Sequence, residues 1–437
     1  MMTKKQHKNR VRVMWFVAAI LSAAPLKAQN ATTDPKPAGL RLVMHDRPSL
    51  RLGKLVRVDM RAKLQTDFRK LPAELKTGQD VFDLSRLRIG VEGDFLKHFE
   101  YQVEREFRES FGARVSKYPW RDVYLNFKYF DNFQLQAGKF KIPFGMEELT
   151  SVANLDFVSR SRVADDLAPA RDLGVLLHGR FFHRGLSYEA GAFQNDGENS
   201  DGHISEADRK ERGGRTLALR LSGAPLRPLP LPAQLGRIEV GAAIASSNVP
   251  EGLNSLRGHI YSGESFFPRI YVQGRRLRIG TELSWSPGPF SIKGEFIHIS
   301  EARDRQSIRE ADLPEKISRG WYVTGTWVIT GEMKEGGVEP RRPFLSGGLG
   351  AIELAGRYEQ LRFGSSEHIV LPSASPRAPN IMGNSDRAWT IGTNWYLNRY
   401  ARIQANGIRE TIEDLQRVPV LNHDRFWTGI LRLQFSM

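Results

Sequence analysis

From Val56 onward, the chain is built from segments of about ten residues in which apolar and polar side chains alternate. In the first segment, VRVDMRAKLQTDF, the even positions from 56 to 64 are apolar and the odd positions from 57 to 65 are charged or amide-bearing. Successive side chains of a β-strand point to opposite faces, so this pattern predicts a strand with one apolar face and one polar face.

The same alternation recurs along the rest of the chain. It is found near 85–95, 98–108, 120–130, 133–142, 173–182, 186–195, 213–222, 236–246, 275–286, 290–300, 319–330, 348–363, 387–397, 400–411 and 425–436. Together with the first segment, these stretches predict sixteen strands.

The connections between these strands alternate in length. Short turns are expected at 96–97, 131–132, 183–185, 287–289 and 398–399, with longer turns at 223–235 and 331–347. Long polar loops are expected at 69–84, 109–119, 143–172, 196–212, 247–274, 301–318, 364–386 and 412–424. Short turns on one side, long loops on the other and an even strand number predict an all-β, 16-stranded antiparallel transmembrane β-barrel with periplasmic turns and external loops.

Aromatic residues lie near the predicted strand ends, where a membrane barrel carries its interfacial girdles. They are Trp120, Tyr129, Phe130, Trp321, Trp395, Tyr396, Tyr400, Phe426 and Trp427. The alternative is a soluble sandwich with these residues in its core. That alternative is disfavoured because a sandwich would have to bury sixteen such short faces without cysteines or helices.

The N-terminus has the layout of a secretory signal peptide. Five cations between Lys4 and Arg12 precede an apolar run from Val13 to Ala24, and a cleavage site is expected after Ala28. The run is too short for a transmembrane helix, which needs about 20 apolar residues. We therefore expect a signal peptide at 1–28, a periplasmic N-terminal segment at 29–54 and a barrel at 55–437, exported to the bacterial outer membrane.

Composition agrees with a barrel. The mean hydropathy of −0.41 excludes a helical membrane protein but suits strands that hide apolar residues at every second position. The 437 residues carry a net charge of +15, and six cations of segment 1–28 contribute to it without any acid, which leaves +9. An exported chain meets no nucleic acid, so the expected partners are small anions and outer-membrane lipids, above all lipopolysaccharide phosphates. There is no cysteine, hence no disulfide.

Motifs for catalysis are missing from the sequence. It contains no G-x-S-x-G elbow, P-loop, H-E-x-x-H or cysteine cluster, and its ten histidines are scattered. We expect no enzyme activity, no catalytic residue, no metal and no cofactor.

Basic residues are abundant on the polar phase of the strands, which faces the lumen if the apolar phase faces lipid. They are Arg57, Arg61, Lys63, Arg86, Arg88, Lys128, Arg180, Arg220, Arg276, Arg278, Lys293, Arg357, Arg402 and Arg432. Acidic residues share this phase, so part of the charge must pair internally. A net excess would still concentrate anions in a low-dielectric channel.

The segment QAGKFKIPFG at 136–145 departs from the alternation. Lys139 and Lys141 fall on one face and Phe140 and Ile142 on the other, which predicts a bulge near Gly138 that turns both lysines into the lumen. The loop that follows, at about 143–172, is the third external loop and is the expected constriction. The candidate anion-binding and constriction residues are Lys139, Lys141, Lys128, Arg57, Arg61, Lys63, Arg160, Arg162 and Arg171.

Five stretches resemble the phosphate-selective porin O and P family. They are AGKFKIPFGMEELTS, PARDLGVLLHG, YEAGAFQNDGE, GAIELAGRYEQLRF and TIGTNWYLNRYARIQANGIRE, spread from about 55 to the C-terminus. The resemblance implies a sixteen-stranded outer-membrane barrel, usually a homotrimer, whose basic constriction selects phosphate-like anions. It implies a constriction role for Lys139 and Lys141 of the K-F-K-x-P-F-G motif.

Three functions stay open at this point. The first is passive transport of small anions such as phosphate. The second is a general diffusion porin for small hydrophilic solutes, in which the basic residues are neutralised by salt bridges. The third is a barrel that serves as an enzyme or adhesin, and the missing Ser-His constellation argues against the enzyme.

Overall fold

The computed structural model describes residues 39–44, 47–75, 81–108, 119–197, 214–368, 370–414 and 423–437. Its strands are β1 (Leu40–Met44), β2 (Pro48–Leu52), β3 (Val56–Lys70), β4 (Val81–Phe95), β5 (Phe99–Glu106), β6 (Trp120–Phe130), β7 (Phe133–Lys141), β8 (Arg171–Phe181), β9 (Leu186–Phe193), β10 (Thr216–Gly223), β11 (Ile238–Leu253), β12 (Tyr271–Trp285), β13 (Phe290–Arg303), β14 (Leu313–Val328), β15 (Ala351–Ser365), β16 (Asn384–Tyr396), β17 (Ala401–Ile412) and β18 (Arg425–Ser436). Two short helices, α1 (Met146–Leu149) and α2 (Arg162–Leu167), lie between β7 and β8. Single 3-10 turns occur at Phe182–Arg184, Leu235–Arg237 and Phe344–Ser346.

Strands β3 to β18 form a closed antiparallel barrel of sixteen strands. Each strand pairs with the next, and β18 returns to β3 with Gly429 opposite Lys70 and Ser436 opposite Lys63. The predicted fold and its sixteen strands are confirmed. Closure satisfies the backbone groups of every strand, as a lipid environment requires.

A hairpin of β1 and β2 precedes the barrel and was not predicted. Strand β2 pairs with the periplasmic end of β3, from Leu52 opposite Val56 to Ser49 opposite Asp59. This is the part of β3 that lies beyond the end of β18. The hairpin falls within the predicted N-terminal segment 29–54, whereas the predicted signal peptide at 1–28 lies outside the described residues.

The wall has its apolar face outside and its charged face inside. On β3, Met60, Leu64 and Phe68 point outward and are 40–44% exposed, while the inward Lys63 and Asp67 are at most 7% exposed. An alternation of exposed and buried residues recurs along most of the other barrel strands. An exposed apolar wall of this kind is the surface that lipid covers. Among the described residues, no helix has the length and apolarity needed to cross a membrane.

Apolar side chains also pack inside the barrel, where external loops fold inward. Phe144, Val163 and Leu167 from the third loop join Ile297 and Phe363 of the wall in one buried cluster. Residues of the loop between β11 and β12 belong to the same cluster, among them Leu256, Ile260, Phe266 and Phe267. The external half of the lumen is therefore narrowed by packed chain.

Candidate functional site

The third external loop, between Lys141 and Arg171, lies against the half of the wall that β12 to β18 form. Inward side chains of this half donate to its backbone carbonyls: Arg278 to Leu167 (3.1 Å), Asn394 to Asp156 (2.8 Å) and Arg432 to Val158 (2.7 Å). The loop is thus held by wall residues far from it in sequence. The opposite wall, from β3 to β10, keeps many inward side chains partly exposed.

An ion-pair centre at Asp156 anchors the loop. Its carboxylate accepts from Lys293 (2.8 Å) and from Lys334 (2.7 Å), and it is 7% exposed. Burial alone would raise the pKa of Asp156, but the two ammonium groups outweigh that effect and hold the pKa well below its ordinary value. Asp156 therefore stays ionised at neutral pH.

Local hydrogen bonds shape the loop itself. The hydroxyl of Ser161 accepts from the backbone N–H of Ala164 at 3.1 Å, which is the N-cap that starts α2. Glu147 accepts from the backbone N–H and the hydroxyl of Ser161, at 2.9 and 2.6 Å. Arg160 pairs with Glu148, with Nε 3.1 Å from Oε2. The acids of the loop thus organise its own backbone.

Four predicted candidates line the β3 to β6 side of the lumen, and each has an acidic partner. Arg57 and Lys128 both pair with Asp94, and Arg61 pairs with Glu92. Lys63 pairs with Glu104 at 2.8 Å. These cations lie in the lumen as predicted, but neighbouring carboxylates balance their charge.

The bulge predicted near Gly138 is wrong. Gly138 pairs directly opposite Tyr124 and Gly174, without a shift of register on either side, so Lys139 lies on the outward face opposite Val123 and Leu173. A Cβ on residue 138, whose φ is 133°, would come within 2.3 Å of the carbonyl oxygen of Val123, so glycine permits this close approach. The prediction that Lys139 points into the lumen is therefore corrected.

The alternation of polar and apolar residues is inverted after Gly138 because of packing inside the barrel. Phe140 and Ile142 are buried inside the barrel under the third loop, and the ring of Phe140 lies 6.2 Å from Tyr124 and 5.4 Å from Phe193 between centroids. The inward face changes here from polar to apolar because it meets a folded loop. The strand itself does not slip.

Of the remaining predicted candidates, Lys141, Arg160 and Arg162 bond to residues of the third loop, whereas Arg171 joins β8 to β6. Lys141 donates to the carbonyls of Glu148 and Thr150, the latter at 3.1 Å. Arg171 binds both oxygens of Asp122, at 3.0 and 2.9 Å. Arg160 donates to three carbonyls of residues 147–150 within the loop. Arg162 pairs with Asp165 of α2 at 2.9 Å.

The sequence pattern did not predict a basic cavity that lies at the external end of the barrel. It has a volume of about 400 Å³. Its described lining comprises Arg69, Leu71, Val81, Asp83, Ser85, Arg86, Arg88, Glu106, Arg108, Arg121 and Ser262. Five arginines thus face two carboxylates, and we call this cavity the arginine vestibule. The inward phase of Arg86 and Arg88 was visible in the sequence, but their meeting with the other arginines was not.

Arg86 differs from its neighbours in the arginine vestibule. Arg88 pairs with Glu106 at 2.9 Å, and Arg69 pairs with Asp67 at 3.1 Å. Arg86 donates to the side-chain oxygen of Gln65 at 2.7 Å, and among the described residues no carboxylate lies within 4.0 Å of its guanidinium. Its charge is therefore directed at the cavity.

A second cavity, of about 630 Å³, opens at the periplasmic end. Its charged lining is mixed: Arg227, Arg237, Lys293, Lys334, Arg399 and Arg402 against Asp156, Glu239, Glu335 and Glu339. Lys293 and Lys334 are already bound to Asp156. Cations exceed carboxylates by two in this lining and by three in the arginine vestibule.

Comparison with known families identifies the architecture. The family model of phosphate-selective porin O and P matches residues 58–435. The chain belongs to this family. No curated protein matches the chain.

Solved porin structures share the fold of this porin. Relatives include the outer-membrane channel DcaP of Acinetobacter baumannii (10% identity, 88% of this chain and 98% of that chain, TM-score 0.56) and OmpF of Salmonella typhi in complex with daunomycin (10%, 87% and 98%, 0.53). The trimer form of OmpT of Vibrio cholerae is similar as well (12%, 88% and 100%, 0.52). At these identities the likeness shows the fold alone.

Family and fold together support an outer-membrane channel rather than an enzyme.

Proposed function

We propose that this porin conducts small anions by passive diffusion, with phosphate and related oxyanions as the preferred class. The observation that carries the proposal is Arg86 within the arginine vestibule, a cation with no described carboxylate partner at the mouth of the channel. Charged groups in a low-dielectric mouth focus the potential and raise the local anion concentration. Guanidinium groups also match the oxygens of phosphate with charge-assisted hydrogen bonds.

The transport step involves no covalent chemistry. An anion enters the arginine vestibule, exchanges part of its hydration for guanidinium hydrogen bonds, and moves on past the third loop. Release requires that each contact be weak and that neighbouring sites compete. The Arg–Asp and Arg–Glu pairs of the periplasmic half of the lumen, which we call the lower lumen, offer such weak alternative sites; Arg61 with Glu92 is one of them.

General diffusion of small hydrophilic solutes is the second candidate. It is favoured by the lower lumen, where Arg57 and Lys128 share Asp94 and where the charges largely cancel. If the vestibule did not limit permeation, a channel of this kind would select weakly by charge.

The reversal potential across a KCl gradient in a planar bilayer separates the two candidates. We expect anion preference in the native porin, block of chloride current by phosphate, and loss of both in Arg86→Glu. Lys128→Glu, which changes the same charge in the lower lumen, is the matched control and should shift the potential less. Cation preference of the native porin would refute the anion proposal.

Assembly and export complete the proposal. We propose a homotrimer, as in the trimer form of OmpT of Vibrio cholerae, placed among outer-membrane lipids and lipopolysaccharide after cleavage behind Ala28. Light scattering of the detergent-solubilised porin tests the trimer, and the intact mass of the exported protein tests the cleavage. A monomeric mass, or a mature chain that retains residues 1–28, would contradict the respective part.

A further inference from the structure

Five arginines point outward from five consecutive strands at the external end of the barrel. They are Arg319 on β14, Arg362 on β15, Arg387 on β16, Arg409 on β17 and Arg425 on β18, all exposed. We call them the outer arginine patch. Further toward the membrane middle, the outward side chains of these strands are apolar or aromatic, such as Val323, Ile391 and Leu431.

The strand register makes the patch continuous. Arg319 lies directly opposite Arg362, and Arg387 and Arg425 both lie opposite Thr411. Arg409 lies opposite Trp427, with its guanidinium 5.6 Å from the ring centroid. Directly opposite side chains of an antiparallel pair have Cβ atoms about 5 Å apart, so neighbouring members of the patch can share one ligand.

An aromatic belt sets the depth of the patch. Arg319, Arg387 and Arg425 each lie two residues to the external side of an outward tryptophan, at Trp321, Trp389 and Trp427 respectively. Such aromatic belts mark the boundary between hydrocarbon and headgroups. The arginines are therefore at headgroup level.

The pairing rows relate the members of the patch on neighbouring strands. The row through Trp321 runs by way of Gln360, Arg387 and Thr411 to Arg425. The belt thus moves by two residues between β14 and β18, for arginines and tryptophans alike. The direction of this shift is the one that tilted strands require.

Most of the patch is not neutralised by protein. Arg362 lies 3.4 Å from Glu413 and Arg425 lies 3.8 Å from Asp424, in exposed pairs. Within the described residues, no carboxylate lies within 4.0 Å of the guanidinium of Arg319, Arg387 or Arg409.

Buried arginines of the inner wall, in contrast, have carboxylate partners within the protein. Arg432 binds Asp67 and Arg276 binds Glu301, in buried pairs. A cluster of like charges at a membrane boundary is costly unless anions from outside the chain neutralise it. Phosphorylated headgroups of the external leaflet are anions available at this depth.

We propose that the outer arginine patch binds the phosphate groups of lipopolysaccharide. Arginine is suited to this ligand because its planar fork binds phosphate oxygens in pairs, and clustered cations at a membrane surface recognise phosphorylated headgroups. The inference rests on the outer-membrane location that the family and fold support, and it is independent of the solute that the channel prefers.

The test compares the native porin with the triple variant Arg319→Gln, Arg387→Gln, Arg409→Gln. Binding of purified lipopolysaccharide in detergent should weaken about a hundredfold, because each of the three basic residues near an anionic surface contributes about fivefold to the affinity. Lys54→Gln, Arg184→Gln, Arg342→Gln removes the same charge at the periplasmic end and should bind like the native porin. Heat-modifiable migration of each barrel in gels verifies folding.

Two further arms identify the ligand. Enzymatically dephosphorylated lipopolysaccharide should bind the native porin as weakly as intact lipopolysaccharide binds the triple variant, and inorganic phosphate at equal concentration should not compete. Undiminished binding by the triple variant would overturn the proposal. So would loss of trimers with unchanged lipid affinity, because the patch would then be a contact between copies. Reversal potentials of the same preparations report separately on the channel.

Discussion

Arg432 on the last strand binds Asp67 on the first barrel strand through two hydrogen bonds, Nε to Oδ1 at 2.6 Å and Nη2 to Oδ2 at 2.7 Å. The same guanidinium donates to the carbonyl of Val158 in the third loop at 2.7 Å. One arginine thus joins the closing seam of the barrel to the loop that narrows it.

Removing that arginine should destabilise the barrel. In Arg432→Met the carboxylate of Asp67, which is fully buried, loses its main partner, and breaking a buried pair from one side costs about 3–5 kcal/mol. Urea unfolding in lipid vesicles measures the loss. The double variant with Asp67→Asn should be less destabilised than the sum of the two single variants, and strict additivity would contradict the assigned pair.

Asp156→Asn should loosen the third loop. Lys293 and Lys334 lose their shared carboxylate, so the loop anchor weakens while the lumen gains positive charge. Single-channel recordings should show noisier current and stronger anion preference. Asp165→Asn on the same loop removes an exposed carboxylate from its pair with Arg162 and serves as the control. Equal effects of the two variants would refute the anchor role.

The Asp156 anchor also predicts a pH dependence. Because the pKa of Asp156 is lowered in the folded state, its stabilising contribution is fully present above the ordinary aspartate pKa of about 3.9. It is lost as the pH falls through the lowered pKa. Native current should therefore stay quiet from neutral pH down to about 4 and become noisy only in stronger acid. Noise that begins near pH 6 would point to another group.

Lys139→Glu and Lys141→Glu should differ, although both lysines belong to one motif. Lys139 lies on the outer face, so its reversal should leave ion selectivity unchanged. Lys141 holds the carbonyls of Glu148 and Thr150, so its reversal should disturb the loop and alter conductance. Reversal potentials and conductance of the two variants check this. A changed ion selectivity in Lys139→Glu would show that Lys139 points into the lumen.

Deletion of residues 40–52 should weaken the seam. The deletion leaves the backbone edge of β3 at residues 56–59 unpaired, which costs about 1–3 kcal/mol at roughly 1 kcal/mol for each hydrogen bond lost. Urea unfolding compares the deletion with Leu42→Ser, which keeps the hairpin pairing. Equal stability of the deletion variant and the native porin would show that the hairpin does not stabilise the barrel.

The candidate site was only partly predictable from sequence. The inward phase of Arg57, Arg61 and Lys63 follows from strict alternation on β3. Their neutralisation by Glu92, Asp94 and Glu104 depends on which residues face each other across strands, which alternation does not specify. Gly138 shows the opposite failure, because a change of packing inside the barrel looked like a slip of the strand.

By itself, the sequence determined the sixteen strands, the face of the wall that meets lipid and the side that carries the long loops. These are local properties, since a period of two residues and a turn can be recognised within one segment. Only the tertiary structure decided which cations are neutralised, where the third loop rests and how the outward arginines meet. Those features depend on contacts between distant residues, such as Asp67 and Arg432, which lie 365 positions apart and meet only when the barrel closes.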